Sequence, residues 1–128
     1  LSNLNKNAGR NHPRAYKHYF NLAKNIRQSD SSEFVVACRK PGMFYFYSNA
    51  FVTNYKYSLD DKEVIEQLID KDVKYVVLDQ LGYSSTPRYL VPAINKNKEL
   101  FSIIMHLKSP DTYLLSFDSE QAKEKLNL

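Results

Sequence analysis

Two short apolar runs constrain this chain more than anything else in it. One is Val35-Val36-Ala37-Cys38, broken off by Arg39-Lys40-Pro41; the other is Tyr75-Val76-Val77-Leu78, broken off by Asp79-Gln80-Leu81-Gly82-Tyr83-Ser84-Ser85-Thr86. A continuous run of this length bounded by turn formers reads as a strand covered on both faces, the habit of parallel sheets between helices. In open α/β sheets, ligands sit outside the carboxyl ends of such strands, which is where the polar residues stand in both runs.

The rest of the pattern alternates in the same way. Tyr16, Tyr19, Phe20, Ala23 and Ile26 recur at helical spacing after Pro13 and predict a helix over about 14–28. Residues 34–38 come next as the first strand, and Pro41 can open a short helix across Met43, Phe44 and Tyr47, a segment whose aromatic run also suits a strand. Phe51, Thr53, Tyr55 and Tyr57 alternate with Val52, Asn54 and Lys56, which predicts a strand over 51–57. Asp60 and Glu63 resemble a capping box, and Val64, Ile65, Leu68 and Ile69 then trace one face of a helix to about Lys71.

After the strand at 74–79, Pro87 begins another helix, and Pro92 either kinks it or marks its true start, with an end near Asn97. Leu100–Leu107 and Thr112–Phe117 flank Lys108-Ser109-Pro110-Asp111 and predict an antiparallel hairpin, succeeded by a helix over Ser119–Leu126. This order predicts a three-layer, Rossmann-like α/β domain with a mainly parallel sheet ending in an antiparallel hairpin. Strands 34–38 and 74–79 should lie side by side, with 51–57 outside the first and the hairpin outside the second. Residues 13–128 then form one domain, as a chain of 128 residues allows, and the polar residues 1–12 read as a linker.

Charge is segregated. Residues 1–29 carry six basic side chains (Lys6, Arg10, Arg14, Lys17, Lys24, Arg27) and no acidic one, so of the net +4 the other 99 residues hold −2. No nucleic-acid motif accompanies this basic segment, so nucleic acid is not an expected partner; beside a membrane anchor such a segment suits anionic head groups. No run approaches the roughly 18 apolar residues of a membrane-spanning helix, and no signal peptide is visible; with Leu1 in place of Met, the sequence reads as an excised piece. Cys38 has no partner for an internal disulfide and sits inside a strand, which predicts a buried, inert thiol.

The candidate ligand site gathers Arg39, Lys40, Asp79, Tyr83, Ser84, Ser85, Thr86 and Arg88 at the switch point between the two central strands. Cations, hydroxyls and helix-start amides together suit a phosphate or carboxylate. The plainer alternative is that Pro41 and the hydroxyl residues merely start helices while Arg39 pairs with Asp79. Several chemistries lack their residues. The loop has neither G-x-x-x-x-G-K-[ST] nor G-x-G-x-x-G, and Ser84 and Ser85 lack the G-x-S-x-G elbow. Arg39 and Lys40 stand where a Mg²⁺ site would need carboxylates, and His12, His18 and His106 have no zinc spacing. No catalytic residue, metal or cofactor is expected.

The succession V-V-A-C-R-K-P, a Tyr/Phe-rich segment ending Tyr47-Ser48, D-x-x-E-V-I-E-x-L, K-Y-V-V-L-D-Q and S-S-T-P-R-Y-L-V-P-A-I resembles the soluble C-terminal domain of bacterial multi-spanning GT-C glycosyltransferases. These are similar to dolichyl-phosphate-mannose protein mannosyltransferases, and this version looks like those of Bacteroidetes; the resemblance covers about residues 14–117. It implies a non-catalytic extracytoplasmic accessory domain of an enzyme that uses a polyprenyl-phosphate-linked sugar. The parent would sit in the bacterial inner membrane with this domain in the periplasm. Its partners would be the membrane-embedded part of the same chain and the lipid-linked donor or the acceptor. The family's catalytic acidic residues lie in a loop near its first membrane helices, outside this sequence. The alternative is a stand-alone α/β ligand-binding or protein-interaction module.

Overall fold

The computed structural model describes residues 2–128, with side chains described from Arg14 onward. Five strands form one sheet: β1 (Val35–Ala37), β2 (Phe51–Thr53), β3 (Val73–Leu78), β4 (Phe101–Leu107) and β5 (Thr112–Phe117), in the order β2-β1-β3-β5-β4. β1 runs parallel to both β2 and β3, whereas β5 runs antiparallel to β3 and β4. The central pairing and the hairpin on its far side are as the β-α-β grammar predicts. The sheet is mixed and the fold is α/β.

Side chains alternate across this sheet and build two cores. On one face Val36, Cys38, Tyr75, Val77 and Leu114 meet α1 (Ser2–Ser29) and α2 (Pro41–Ser48), with Tyr19, Leu22, Ile26 and Phe44 fully buried. On the other, Ala37, Val73, Val76, Leu115 and Phe117 meet Ile65 and Leu68 of α3 (Asp61–Asp70), Ile94 of α4 (Val91–Lys96) and Ala122 of α5 (Ser119–Leu126). Arg27 joins the first two helices. Its guanidinium donates to the Ser48 and Asn49 carbonyls at 2.9 and 3.1 Å, satisfying acceptors that the end of α2 leaves open.

α1 extends to Ser2, well before the predicted start near residue 14, and the linker read over 1–12 falls where side chains lie outside the described residues. The strand predicted over 51–57 keeps only its first three residues. β1 has no partner to offer beyond Cys38, whose amide donates to the Thr53 carbonyl at 2.9 Å, so Asn54 to Tyr57 leave the sheet and Tyr55 turns into the protein. The capping box is also rewired: Asp60 caps the Lys62 amide at 3.0 Å, but Glu63 accepts from the Ser58 hydroxyl instead of reaching back to Asp60.

The Pro87/Pro92 ambiguity resolves into a wide π-helical turn at Thr86–Leu90 leading into α4, with the Val91 amide reaching back to the Thr86 carbonyl. A turn of this width absorbs the bond that Pro92 cannot donate. Two bulges interrupt the ladders. Lys74 is the extra residue of β3 opposite β1, which lets both its ammonium (2.7 Å) and the adjacent Tyr75 hydroxyl (2.8 Å) reach Asp30. Ile104 is the extra residue of β4, between Ile103 opposite Leu115 and Met105 opposite Leu114, on the outer strand of the sheet.

Candidate functional site

The carboxyl ends of β1 and β3 open side by side, as the sequence places them, and the segments leaving these two strands fix the site. After β1 the chain enters α2 through Lys40, whose carbonyl accepts from the Tyr19 hydroxyl at 2.9 Å and from the Phe44 amide at 3.1 Å. After β3 the chain reverses at Gly82, whose φ of +95° suits a residue without a Cβ, and this delivers Tyr83 across the mouth of the crevice. The Arg39 guanidinium lies over the Tyr83 ring, 4.4 Å from its centroid, and the Lys40 ammonium is 5.0 Å from the same centroid. Arg39 also faces the Tyr57 ring at 5.6 Å, Tyr57 stacks on Tyr89 at 5.7 Å, and Arg88 lies 5.4 Å from the Tyr89 centroid. The result is a face of cations interleaved with tyrosine rings.

Its electrostatics arise from these contacts. The Lys40 ammonium draws the Tyr83 phenol below the usual tyrosine range, helped by the neighbouring Tyr16 hydroxyl. Burial raises the phenol of Tyr16 in turn. The Nε of Arg39 is enclosed and has no hydrogen-bond partner among the described residues, a costly condition for a charged donor.

The remaining candidates point the other way. Asp79 is 4% exposed, and its carboxylate accepts from the Leu81 amide at 3.0 Å and the Thr86 hydroxyl at 3.2 Å. Burial pushes its carboxyl above the usual range, against the lowering influence of those two donors and of the Arg39 charge. The Tyr55 hydroxyl meets Ser85 Oγ at 3.0 Å and Thr86 Oγ1 at 2.8 Å. Ser85 and Thr86 thus belong to an internal network, and no Arg39–Asp79 ion pair forms among the described residues. Ser84 stays exposed while its carbonyl holds the Arg88 amide at 3.0 Å. With Pro87 lacking an amide hydrogen, the first turn presents side chains more than amides to a ligand.

A pocket of about 360 Å³ adjoins this network, with Asp79, Tyr83, Ser84, Thr86, Pro87 and Tyr113 among its walls. The structure therefore divides the predicted set. Arg39, Lys40 and Tyr83 come together, Asp79, Ser85 and Thr86 knit the crevice floor, and Arg88 stands one ring stack away. Tyr16, Tyr55, Tyr57 and Tyr89 join the site without having been singled out by sequence. Period-2 alternation assigned Tyr55 and Tyr57 to strand faces, and only the early exit of β2 brings them here.

Cys38 is fully buried beneath this crevice and burial raises its thiol to about 12, so it supplies no nucleophile at neutral pH. His106 of β4 stacks on Tyr113 at 4.2 Å and contacts Asp111 at 2.8 Å. Among the described residues no group of three or more His, Cys, Asp or Glu is placed to hold a metal ion, and no helix is long and apolar enough to cross a membrane. Compared with protein-family models, curated proteins and solved structures, the chain matches none.

Proposed function

We propose that this chain is a non-catalytic, Rossmann-like accessory domain of a membrane glycosyltransferase, lying on the extracytoplasmic side and holding an anionic group of a lipid-linked sugar at the β1/β3 crevice. The membrane enzyme and its polyprenyl-phosphate donor rest on the sequence resemblance. The anionic ligand rests on Arg39. Its guanidinium lies over the Tyr83 ring beside the Lys40 ammonium, and two cations held together with no carboxylate ion-paired to either among the described residues are an arrangement that an oxyanion completes with charge-assisted hydrogen bonds. The exposed parts of the Tyr83 and Tyr57 rings suit the apolar face of a sugar. A binding role is favoured over a chemical one because Asp79, Ser85 and Thr86, the groups with acid, base or nucleophile character, already bond to one another and to Tyr55.

The test is titration of the chain with a short polyprenyl phosphate and with a sugar phosphate, monitored calorimetrically. Saturable binding is expected, weakened about tenfold or more in Arg39→Ala/Lys40→Ala through loss of charge-assisted bonds. Saturable binding that ignores the double substitution removes the site, and transfer of sugar by residues 1–128 alone removes the non-catalytic reading. The full-length gene separates this proposal from a stand-alone binding module, which has no run of hydrophobic segments upstream.

A further inference from the structure

A second surface lies on the outward side of α1 and α2, and its composition is unusual. α2 reads Pro-Gly-Met-Phe-Tyr-Phe-Tyr-Ser, apolar or aromatic nearly all round, a pattern that normally requires burial on every side. Only its inner side is covered. Phe44 is fully buried, yet Phe46 is 79% exposed and Tyr45 53% exposed. The exposed rings continue onto α1: Phe46 lies 5.1 Å from Tyr47, and Tyr47 lies 4.3 Å from Phe20. Beside this strip the Lys24 ammonium stands 5.4 Å over the Tyr47 ring, with Lys17 two turns earlier on the same exposed ridge. α1 contributes no acidic residue anywhere along its length.

We infer that this α1/α2 face is a peripheral docking surface for an anionic lipid bilayer, with Phe46 entering the head-group boundary and Lys17 and Lys24 contacting acidic head groups. Aromatic side chains flanked by lysines are the composition that settles at a membrane interface, the rings in the acyl boundary and the long basic side chains snorkelling to the phosphates. Charge decides the occupant. A protein partner for the aromatic strip alone needs no basic border, whereas an acidic bilayer needs both parts, and each lysine near such a surface strengthens binding about fivefold. The inference stands independently of the β1/β3 crevice, which involves other residues.

The chain contains no tryptophan, so Phe46→Trp supplies a single reporter at the most exposed ring. Its emission is expected to shift to the blue on mixing with phosphatidylcholine vesicles containing phosphatidylglycerol, but not with phosphatidylcholine alone, and to be quenched by brominated acyl chains. In vesicle sedimentation, Lys17→Gln/Lys24→Gln should weaken binding about 30-fold, as two lost contacts of this kind imply. Phe46→Ser should weaken binding at unchanged charge. Lys62→Gln/Lys71→Gln, equal in charge loss but on the opposite side of the sheet, should bind as the unaltered chain does. The inference fails if the tryptophan emission does not move, if both lysine pairs weaken binding equally, or if poly(U) RNA competes fully with the vesicles. It fails too if Phe46→Ser instead abolishes a vesicle-independent dimer.

Discussion

Asp79 shows how a single side chain can look like a site and serve as a brace. Its position at a strand end, before a hydroxyl-rich loop, was legible; its orientation was not, because Tyr55, more than twenty residues earlier, decides which way Ser85 and Thr86 turn. Tyr55→Phe should lower stability by about 1–2 kcal/mol in urea denaturation, the usual loss for a buried hydroxyl whose partners remain. Asp79 has a pH signature as well. Its carboxyl is raised in the folded protein by burial, so the stability it contributes is fully present below the ordinary aspartate pKa and is lost as pH rises through the raised one. Asp79→Asn escapes that loss, and its stability relative to the unaltered chain should rise with pH across this window. A difference that stays flat in urea midpoints measured from acid to neutral pH counts against it. Cys38 should resist thiol reagents in native buffer and react fully in denaturant, since burial both covers the sulfur and disfavours its thiolate.

Among the elements, those specified by local chemistry matched their predicted ranges best. α3 starts where Asp60 can cap it, and α5 spans the predicted residues because Asp118 accepts from the Gln121 amide at 3.0 Å. Asp60→Ala should cost about 1 kcal/mol, measurable as a lowered urea midpoint with unchanged slope. Elements whose limits depend on neighbours were less legible. The alternation of residues 51–57 is genuine, but a strand lasts only as long as the one it pairs with, and β1 ends after three residues. Likewise two prolines five residues apart leave a kink and a restart equally open, and packing of Leu90 and Ile94 against the second core accompanies a third solution, the widened turn. The cations of the crevice and the Tyr83 ring were visible in R-K-P and in the loop after β3; the Tyr57–Tyr89 stack was not, because these rings meet only after β2 departs and the wide turn forms.

At the scale of the molecule, β-α-β order, the right-handed crossover rule and the hairpin turn leave few strand orders open, and the one expected among them is the order across this sheet. The same sheet couples the two cores, since neighbouring residues of β5 serve opposite faces: Leu114 packs with α1 and α2, Leu115 with the α3 side. Leu114→Ala and Leu115→Ala should each cost about 2–5 kcal/mol, and each should still unfold in one transition by far- and near-ultraviolet circular dichroism. Separate transitions for the two faces would contradict this coupling. The sheet also has an outer boundary at β4, seven residues long, with Ile103 and Ile104 exposed. A straight strand of that composition is a template on which further copies can polymerise into fibres. The extra residue at Ile104 interrupts the register of this strand, and a bulge on an outer strand is one way a sheet blunts such a template. Deleting Ile104 should bring on thioflavin-positive aggregation at concentrations where the unaltered chain stays dispersed, and a deletion variant that remains equally dispersed would deny the bulge that protective part.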